Sequence, residues 1–143
     1  MKIALKRIES PFHFEAVNET GNTVSIDASP AIGGAGLGAR PMELLLMGLG
    51  SCSGIDIISI LNKQRQNVSD FQVSIEAERE SGKMANLFTK IHLHFDVFGD
   101  VEQEKLENAI HLSLDKYCSV AKILEKSAEI NHSFTINGDQ NGK

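Results

Sequence analysis

The sequence predicts an α+β fold in which antiparallel sheets surround one long, cysteine-bearing helix. The longest apolar run, residues 41–61, is the candidate central helix, and it carries Cys52 at its centre. Segments of alternating apolar and polar residues flank this run on both sides, as strands with one buried face do. The predicted order, three strands, a helix, two strands, two helices and a strand, is that of an α+β protein with a mostly antiparallel sheet.

Three short strands are predicted before the central helix, and a glycine-rich loop joins them to it. Alternation and the turn segment NETGN place the strands at residues 3–7, 12–17 and 23–27. The loop, residues 30–40, contains GAGLG, but it lacks the G-x-G-x-x-G spacing and a lysine. A tightly turning loop or a flexible lid is therefore favoured over a phosphate site.

The central helix has a clear start and an unusual surface. Pro41 suits a first helical position, and the negative charge of Glu43 complements the positive end of the helix dipole. Apolar residues lie all around the helix, so we expect it to be covered on most sides. Gly50 and Gly54 share one face, which predicts close packing against another helix or another subunit. A membrane span is not favoured, because Glu43 and Asp56 place charges inside the apolar run and its glycines and serines lower its hydrophobicity.

The second half of the chain is predicted to contain a hairpin, two helices and a final strand. These elements are expected at residues 71–77, 91–97, 101–117, 120–126 and 130–136. His92 and His94 fall on the polar face of one strand, where a solvated surface is favoured over a metal site because no third ligand is evident. His132 lies in the apolar phase of the last strand and is interpreted as a packed or edge histidine.

Length and composition predict one domain, residues 1–137, followed by a disordered tail at 138–143. The chain has 143 residues, of which 41% are hydrophobic and 23% charged, and its net charge is -5. That charge offers no electrostatic footprint for nucleic acid or an anionic membrane, so neither is expected as a partner. The start, MKIALKRIES, does not read as a secretion signal, which predicts a cytoplasmic location.

The two cysteines are expected to be free thiols rather than a structural bridge. Cys52 lies too far inside its helix for the dipole to activate it, so any activation must come from another segment or subunit. Cys118 lies where one helix ends and the next begins, with Lys116 and Lys122 nearby. Backbone N–H groups and positive charge are expected to favour its thiolate. For either cysteine alone, a small buried residue is the alternative reading.

Two motifs contain the cysteines: RPMELLLMGLGSCSGIDII, in which Pro41 lies eleven residues before Cys52, and YCSVAKIL, in which Cys118 opens a short helix. By these motifs the chain resembles the osmotically inducible protein C and organic hydroperoxide resistance (OsmC/Ohr) superfamily. The P-x-E-L-L-L start is similar to one subgroup of that family. The resemblance covers nearly the whole chain and extends to the order of its elements.

The resemblance implies an intertwined homodimer with active sites built from both subunits at the interface. It also implies that the Cys52 thiolate attacks a peroxide and that the resulting sulfenic acid condenses with Cys118 to form a disulfide. An external thiol or dithiol would then restore both cysteines, with no metal, flavin or haem as cofactor.

The chain departs from the family at the groups that polarise the thiolate and the peroxide. Family peroxidases carry a glutamate directly after the helix-opening proline, whereas Met42 stands there in this chain and Glu43 follows. The family's hairpin arginine would fall near residues 12–13, which are phenylalanine and histidine. Arg40 is the favoured replacement and Arg7 the alternative. The candidate catalytic residues are therefore Cys52, Cys118, Glu43 and Arg40.

The predicted function is thiol-dependent reduction of hydrogen peroxide or organic hydroperoxides in the oxidative stress response. Met42 and the missing hairpin arginine motivate an alternative. In that alternative, a dimer of the same fold binds a small apolar ligand or senses redox state without peroxidase activity. A third reading is a structural dimer with inert thiols.

Overall fold

The computed structural model describes residues 1–140, and it confirms the α+β class with two sheets and a long cysteine-bearing helix. The strands are β1 (Ile3–Glu9), β2 (His13–Asn18), β3 (Thr23–Ile26), β4 (Asn67–Arg79), β5 (Phe88–Asp100), β6 (Glu129–Ile136) and β7 (Asp139–Gln140). The α-helices are α1 (Pro41–Lys63), α2 (Gln103–Leu112) and α3 (Ser119–Leu124). A 3₁₀ turn spans Pro30–Ile32, and a π-helical turn spans Ser113–Tyr117.

The chain divides into two compact units, the first comprising Met1–Met47 and the second beginning at Gly48. The first unit contains the predicted N-terminal meander, a three-stranded antiparallel sheet in the order β1-β2-β3. The second contains a four-stranded sheet in the order β4-β5-β6-β7. The prediction of a single domain over residues 1–137 stays a prediction.

The glycine-rich loop of the first unit is held by a buried carboxylate. Asp27 accepts backbone N–H bonds from Ala28, Ala35 and Leu37 at 2.7 to 3.3 Å. The bond from Leu37 is the largest cause that lowers the pKa of the Asp27 carboxyl. Ala39 then forms a β-bridge with Ile26, which ties down the residue before Arg40. The tightly turning loop is therefore favoured over the flexible lid.

The second unit is built around the central strand β5. β5 pairs antiparallel with β4 and parallel with β6. The parallel pair is possible because α2, the π-helical turn and α3 form the long crossover that it requires. The inward residues of β5 alternate with outward ones and are fully or almost fully buried. The core side chains include Leu49, Ile57, Leu61, Ile91, Leu93, Phe95, Val97, Leu106, Ile110 and Phe134.

The small residues of α1 pack against the chain's own sheet, which corrects the expectation of a second helix or subunit on that face. A Cβ atom built on Gly50 would come within 2.9 Å of the Ile75 side chain, and one on Gly54 within 3.4 Å of Phe71. Both neighbours lie on β4. The two glycines let the helix approach this strand closely, so their spacing is explained within one chain.

The expectation that α1 is covered on most sides is wrong for the single chain. Leu45, Met47 and Ile55 are exposed, and Ile55 retains 69% of its accessible surface. By length and apolar character alone this helix could also cross a membrane, although core helices of soluble proteins pass the same test. The helix therefore buries one face on the sheet and presents apolar side chains on another.

The end of the chain adds a short strand to the second sheet. β7 pairs antiparallel with β6, in a region that the sequence assigned to the tail 138–143. Asn137 and Gly138 have positive φ angles of 51° and 85°, which form the tight turn between the two strands. Residues 141–143 of the predicted tail lie outside the described residues.

Candidate functional site

The structure brings the two thiols together, as the predicted pair requires. The Sγ atoms of Cys52 and Cys118 and one carboxylate oxygen of Asp56 all lie within 4.8 Å of one another. Both cysteines are free, with Cys52 half-buried and Cys118 buried. Because a disulfide has an S–S distance of about 2.0 Å, the sulfurs need only a short approach to bond.

Cys118 occupies the predicted junction between helical segments. The π-helical turn ends at Tyr117, and Cys118 then takes an extended conformation, with φ -72° and ψ 102°, as the N-cap of α3. Its sulfur accepts a hydrogen bond from the Ala121 backbone N–H at 3.4 Å. Serine, aspartate or asparagine usually fills this role. Here the capping atom is the sulfur of a buried cysteine.

The expected activation of Cys118 is wrong. Burial, followed by interaction with Cys52, raises the pKa of the Cys118 thiol to about 12, although the Ala121 N–H acts in the opposite direction. The neighbouring lysines contact other groups. Lys116 lies over the Tyr117 ring, and Lys122 pairs with Glu125 at 2.6 Å. At neutral pH Cys118 is therefore a protonated thiol.

This raised pKa predicts a loss of stability at alkaline pH. An unfolded chain deprotonates the thiol near its ordinary pKa of 9.0, whereas the folded protein holds the proton until about 12. The contribution to stability is fully present below pH 9 and is lost as pH rises toward 12. We expect the unfolding free energy of the reduced protein to fall more steeply across this window than that of Cys118→Ala, as measured by urea denaturation. Parallel pH profiles for the two proteins would contradict this assignment.

Sequence reasoning missed two polar residues beside the thiols, Asp56 and Ser113. The Ser113 hydroxyl donates a hydrogen bond to Asp56 Oδ2 at 3.1 Å and is itself fully buried. Asp56 follows Cys52 by four residues on α1 and therefore lies on the same face. An acidic residue one turn after a cysteine, inside an apolar helix, was the available signal for Asp56. Ser113 reaches the site only through the chain fold.

Arg40 and Glu43, the other candidate residues, pair with each other in the first unit. Arg40 Nε lies 2.6 Å from Glu43 Oε1, and the Arg40 backbone N–H donates to Glu43 Oε2 at 3.3 Å. The side-chain hydrogen bond from Arg40 is the main cause that lowers the pKa of the Glu43 carboxyl. Glu43 is therefore ionised at neutral pH. Its negative charge is paired with the Arg40 guanidinium and lies in the first turn of α1.

The alternative positions for the family's arginine have other partners. Arg7 donates from Nη1 to the Pro11 carbonyl at 3.4 Å. His13 shares a 2.6 Å hydrogen bond with the Ser25 hydroxyl and lies 3.7 Å from a Glu9 carboxylate oxygen. Within residues 1–140, Arg40 forms a salt bridge with the candidate residue Glu43, and Arg7 does not.

The histidines cluster apart from the thiols. His92, His111 and His132 line a cavity of about 580 Å³, and the rings of His111 and His132 meet edge to face at 5.2 Å. His92 and His94 both hydrogen-bond the Ser133 hydroxyl. Burial lowers the pKa of His132, in agreement with a packed neutral histidine. Among the described residues, the only three-ligand set close enough to hold a metal is Cys52, Asp56 and Cys118.

Comparison with known proteins identifies the family. The family model described as OsmC-like protein matches residues 33–133. Protein YhfA of Escherichia coli strain K12 is 47% identical over 97 residues, which cover 67% of this chain and 72% of YhfA. The range of the family model includes both Cys52 and Cys118.

Solved structures share the fold over almost the whole chain. A hypothetical protein from Aquifex aeolicus VF5 is 30% identical, with a TM-score of 0.79 and coverage of 95% of this chain and 96% of that one. An organic hydroperoxide resistance protein OsmC from Legionella pneumophila is 15% identical, with a TM-score of 0.71 and coverage of 94% and 97%. The second likeness concerns the fold alone. Because the family model spans most of the chain and includes the close thiol pair, this protein belongs to the OsmC-like family.

Proposed function

We propose that the protein is a thiol-dependent peroxidase that reduces hydrogen peroxide or organic hydroperoxides. The observation that carries the proposal is the pairing of a half-buried Cys52 with a buried Cys118 whose sulfur lies within 4.8 Å. Membership of the OsmC-like family agrees with a role for this thiol pair.

The two cysteines have different roles in this proposal. The Cys52 thiolate attacks one peroxide oxygen, the O–O bond breaks, and the leaving oxygen takes a proton to depart as an alcohol or water. Cys52 becomes a sulfenic acid. The Cys118 sulfur then bonds to the Cys52 sulfur, and the sulfenic hydroxyl leaves as water with the Cys118 proton. An external thiol or dithiol reduces the disulfide by exchange, so no cofactor takes part.

The raised pKa of Cys118 suits the resolving role. A thiol that stays protonated at neutral pH is a poor nucleophile toward peroxide, so Cys118 does not compete with Cys52 for substrate. It remains reduced until the sulfenic acid forms next to it. This division of roles follows from the difference in burial between the two sulfurs.

The salt bridge between Arg40 and Glu43 is proposed to take the polarising role of the family's arginine and glutamate. A guanidinium favours a thiolate and the developing negative charge on the leaving oxygen. We expect Arg40→Gln to lower kcat/KM for a hydroperoxide by about 100-fold. Steady-state peroxide consumption with excess dithiol measures the effect.

Arg79→Gln is the matched control for this prediction. Arg79 lies on β4, and its Nε donates to the Asn86 carbonyl at 2.9 Å. The Arg79→Gln substitution removes the same positive charge as Arg40→Gln, but from a different part of the chain. Equal rates for Arg40→Gln, Arg79→Gln and the wild type would leave the Arg40–Glu43 pair with only a structural role.

Dimerisation belongs to the same proposal. Apolar side chains of β1 and of α1 are exposed in the single chain, among them Ile3, Leu5 and Ile55. Exposed apolar surface of this kind is typical of protein–protein contacts. We propose that a second copy of the chain covers it, as the intertwined homodimer of the resembled family would, and that the dimer acts in the cytoplasm without nucleic acid or membrane partners.

Single-turnover chemistry tests the proposed function. The reduced protein, freed of metal with a chelator, is mixed with hydrogen peroxide or an alkyl hydroperoxide, and thiol loss is followed by stopped flow and mass spectrometry. We expect two thiols to be lost per peroxide, a disulfide between Cys52 and Cys118, and a rate well above that of free cysteine. A rate equal to that of free cysteine would favour the ligand-binding or redox-sensing alternative.

A further inference from the structure

The thiol site contains the donor set of a metal centre as well as that of a peroxidase. Two sulfurs and one carboxylate oxygen converge, with every pair of atoms within 4.8 Å. We propose that Cys52, Asp56 and Cys118 of the reduced protein form a binding site for Zn²⁺. This inference does not rest on the peroxidase activity, because it concerns the resting reduced thiols.

The separations suit a tetrahedral zinc ion after small side-chain movements. Zinc bonds to sulfur at about 2.3 Å and to carboxylate oxygen at about 2.0–2.2 Å, so two ligands of one ion lie about 3.5–3.8 Å apart. Because every pair of donors lies within 4.8 Å, the donors need to close by at most roughly 1 Å, a distance that χ rotations of cysteine and aspartate can cover. Two of them, Cys52 and Asp56, lie one turn apart on α1, which sets their spacing by the helix itself.

Ser113 orients the carboxylate of this site. Its hydroxyl donates to Asp56 Oδ2 at 3.1 Å and also lies 3.4 Å from the Ser53 carbonyl. Ser113 is fully buried, so its side chain has a fixed position. Carboxylates that bind metals commonly accept such an outer hydrogen bond, which fixes the direction of the remaining lone pairs. Ser113 therefore holds the Asp56 carboxylate in a defined orientation beside the two sulfurs.

Charge also favours a cation at this place. Within residues 1–140 Asp56 forms no salt bridge, and both thiol sulfurs lie within 4.8 Å of one of its carboxylate oxygens. Binding requires both thiols to lose their protons, and the two thiolates and the carboxylate then carry three negative charges that a cation between them offsets. A divalent ion reduces this sum to about -1. On binding, two S–Zn bonds and one O–Zn bond form, both thiol protons pass to solvent, and no electron is transferred.

The donor types select the metal. Thiolates are soft ligands that prefer Zn²⁺ to Mg²⁺ or Ca²⁺, for which oxygen donors are needed. Three protein ligands leave the fourth tetrahedral position for water or a small thiol, and the partial exposure of Cys52 gives that ligand access. Zinc would occupy both sulfurs, so the metal-bound form could not attack a peroxide.

Metal titration of the reduced full-length protein under anaerobic conditions tests the proposal. Zn²⁺ affinity is measured by competition with a chromophoric chelator, and Co²⁺ serves as a spectroscopic probe through its thiolate charge-transfer absorption. We expect one equivalent per chain, loss of that absorption in Cys52→Ser and Cys118→Ser, and an affinity at least about 10-fold lower in Asp56→Asn.

Two control variants separate this site from other acidic and histidine groups. Asp115→Asn removes a carboxylate whose side chain is 75% exposed, and His132→Gln alters the histidine cluster. Both are expected to bind zinc as the wild type does. An affinity no higher than that of a simple dithiol, an Asp56→Asn protein indistinguishable from Asp115→Asn, or loss of binding in His132→Gln would each overturn the proposal.

X-ray absorption on the zinc-loaded wild type guards against variants that misfold. We expect two sulfur neighbours at about 2.3 Å and oxygen neighbours at about 2.0 Å. A first shell without sulfur would overturn the site even if zinc binds. Because the titration contains no peroxide and the peroxide assay contains a chelator, failure of one proposal can be told from failure of the other.

Discussion

Replacing Cys52 by serine is expected to abolish peroxide turnover. A serine hydroxyl is not ionised near neutral pH and cannot form a sulfenic acid, so both the attack and the later disulfide step disappear. We expect kcat/KM to fall at least about 1000-fold, as it does when a catalytic nucleophile is removed from an enzyme. Peroxide consumption with excess dithiol measures it.

Cys118→Ser supplies the comparison that assigns the roles. Without added dithiol this variant should consume about one peroxide per chain, because the Cys52 sulfenic acid has no neighbouring thiol to condense with, and with dithiol its recycling should be slower than that of the wild type. A dimedone-type reagent should trap that sulfenic acid on Cys52 and find none in Cys52→Ser. Steady turnover that continues unchanged in Cys52→Ser would end the peroxidase proposal.

Replacing Phe95 by alanine is expected to cause the largest loss of stability. Phe95 lies at the centre of β5, opposite Val73 on β4 and Phe134 on β6, and its side chain is fully buried. Its ring also contacts that of Phe71 at a centroid distance of 5.9 Å. Truncation leaves a cavity among these neighbours, so we expect the unfolding free energy to fall by about 3–5 kcal/mol.

Chemical denaturation followed by circular dichroism measures this change, and Leu87→Ala is its control. Leu87 lies in the same unit but is 51% exposed, so its truncation should change the unfolding free energy by less than about 0.5 kcal/mol. If both variants unfold at the same denaturant concentration, the Phe95 side chain does not stabilise the core by the expected amount.

The sequence located the secondary structure well because its signals are local. Alternation placed β5 to within a few residues, and the apolar run with Pro41 at its start placed α1. The junction at Cys118 also followed from a change of pattern. Each of these features depends on residues that are neighbours in the chain, which periodicity and capping describe directly.

The environment of Cys118 could not be predicted in the same way. Its position beside Lys116 and Lys122 favoured a thiolate, yet those side chains point to other partners and the sulfur is buried. Desolvation depends on which distant segments cover a group, and here it outweighs the local N–H donor. The same residue that the motif identifies as reactive is therefore held as a neutral thiol.

The sequence by itself determined the fold class, the positions of the helices and most strands, and the pair of cysteines on which the proposed function rests. Only the tertiary structure decided that Gly50 and Gly54 face β4, that Ser113 reaches Asp56, and that this carboxylate lies beside both sulfurs. The physical reason is the range of the interactions. Helix and strand patterns act over a few residues, whereas close packing, burial and converging ligands join residues far apart in the chain.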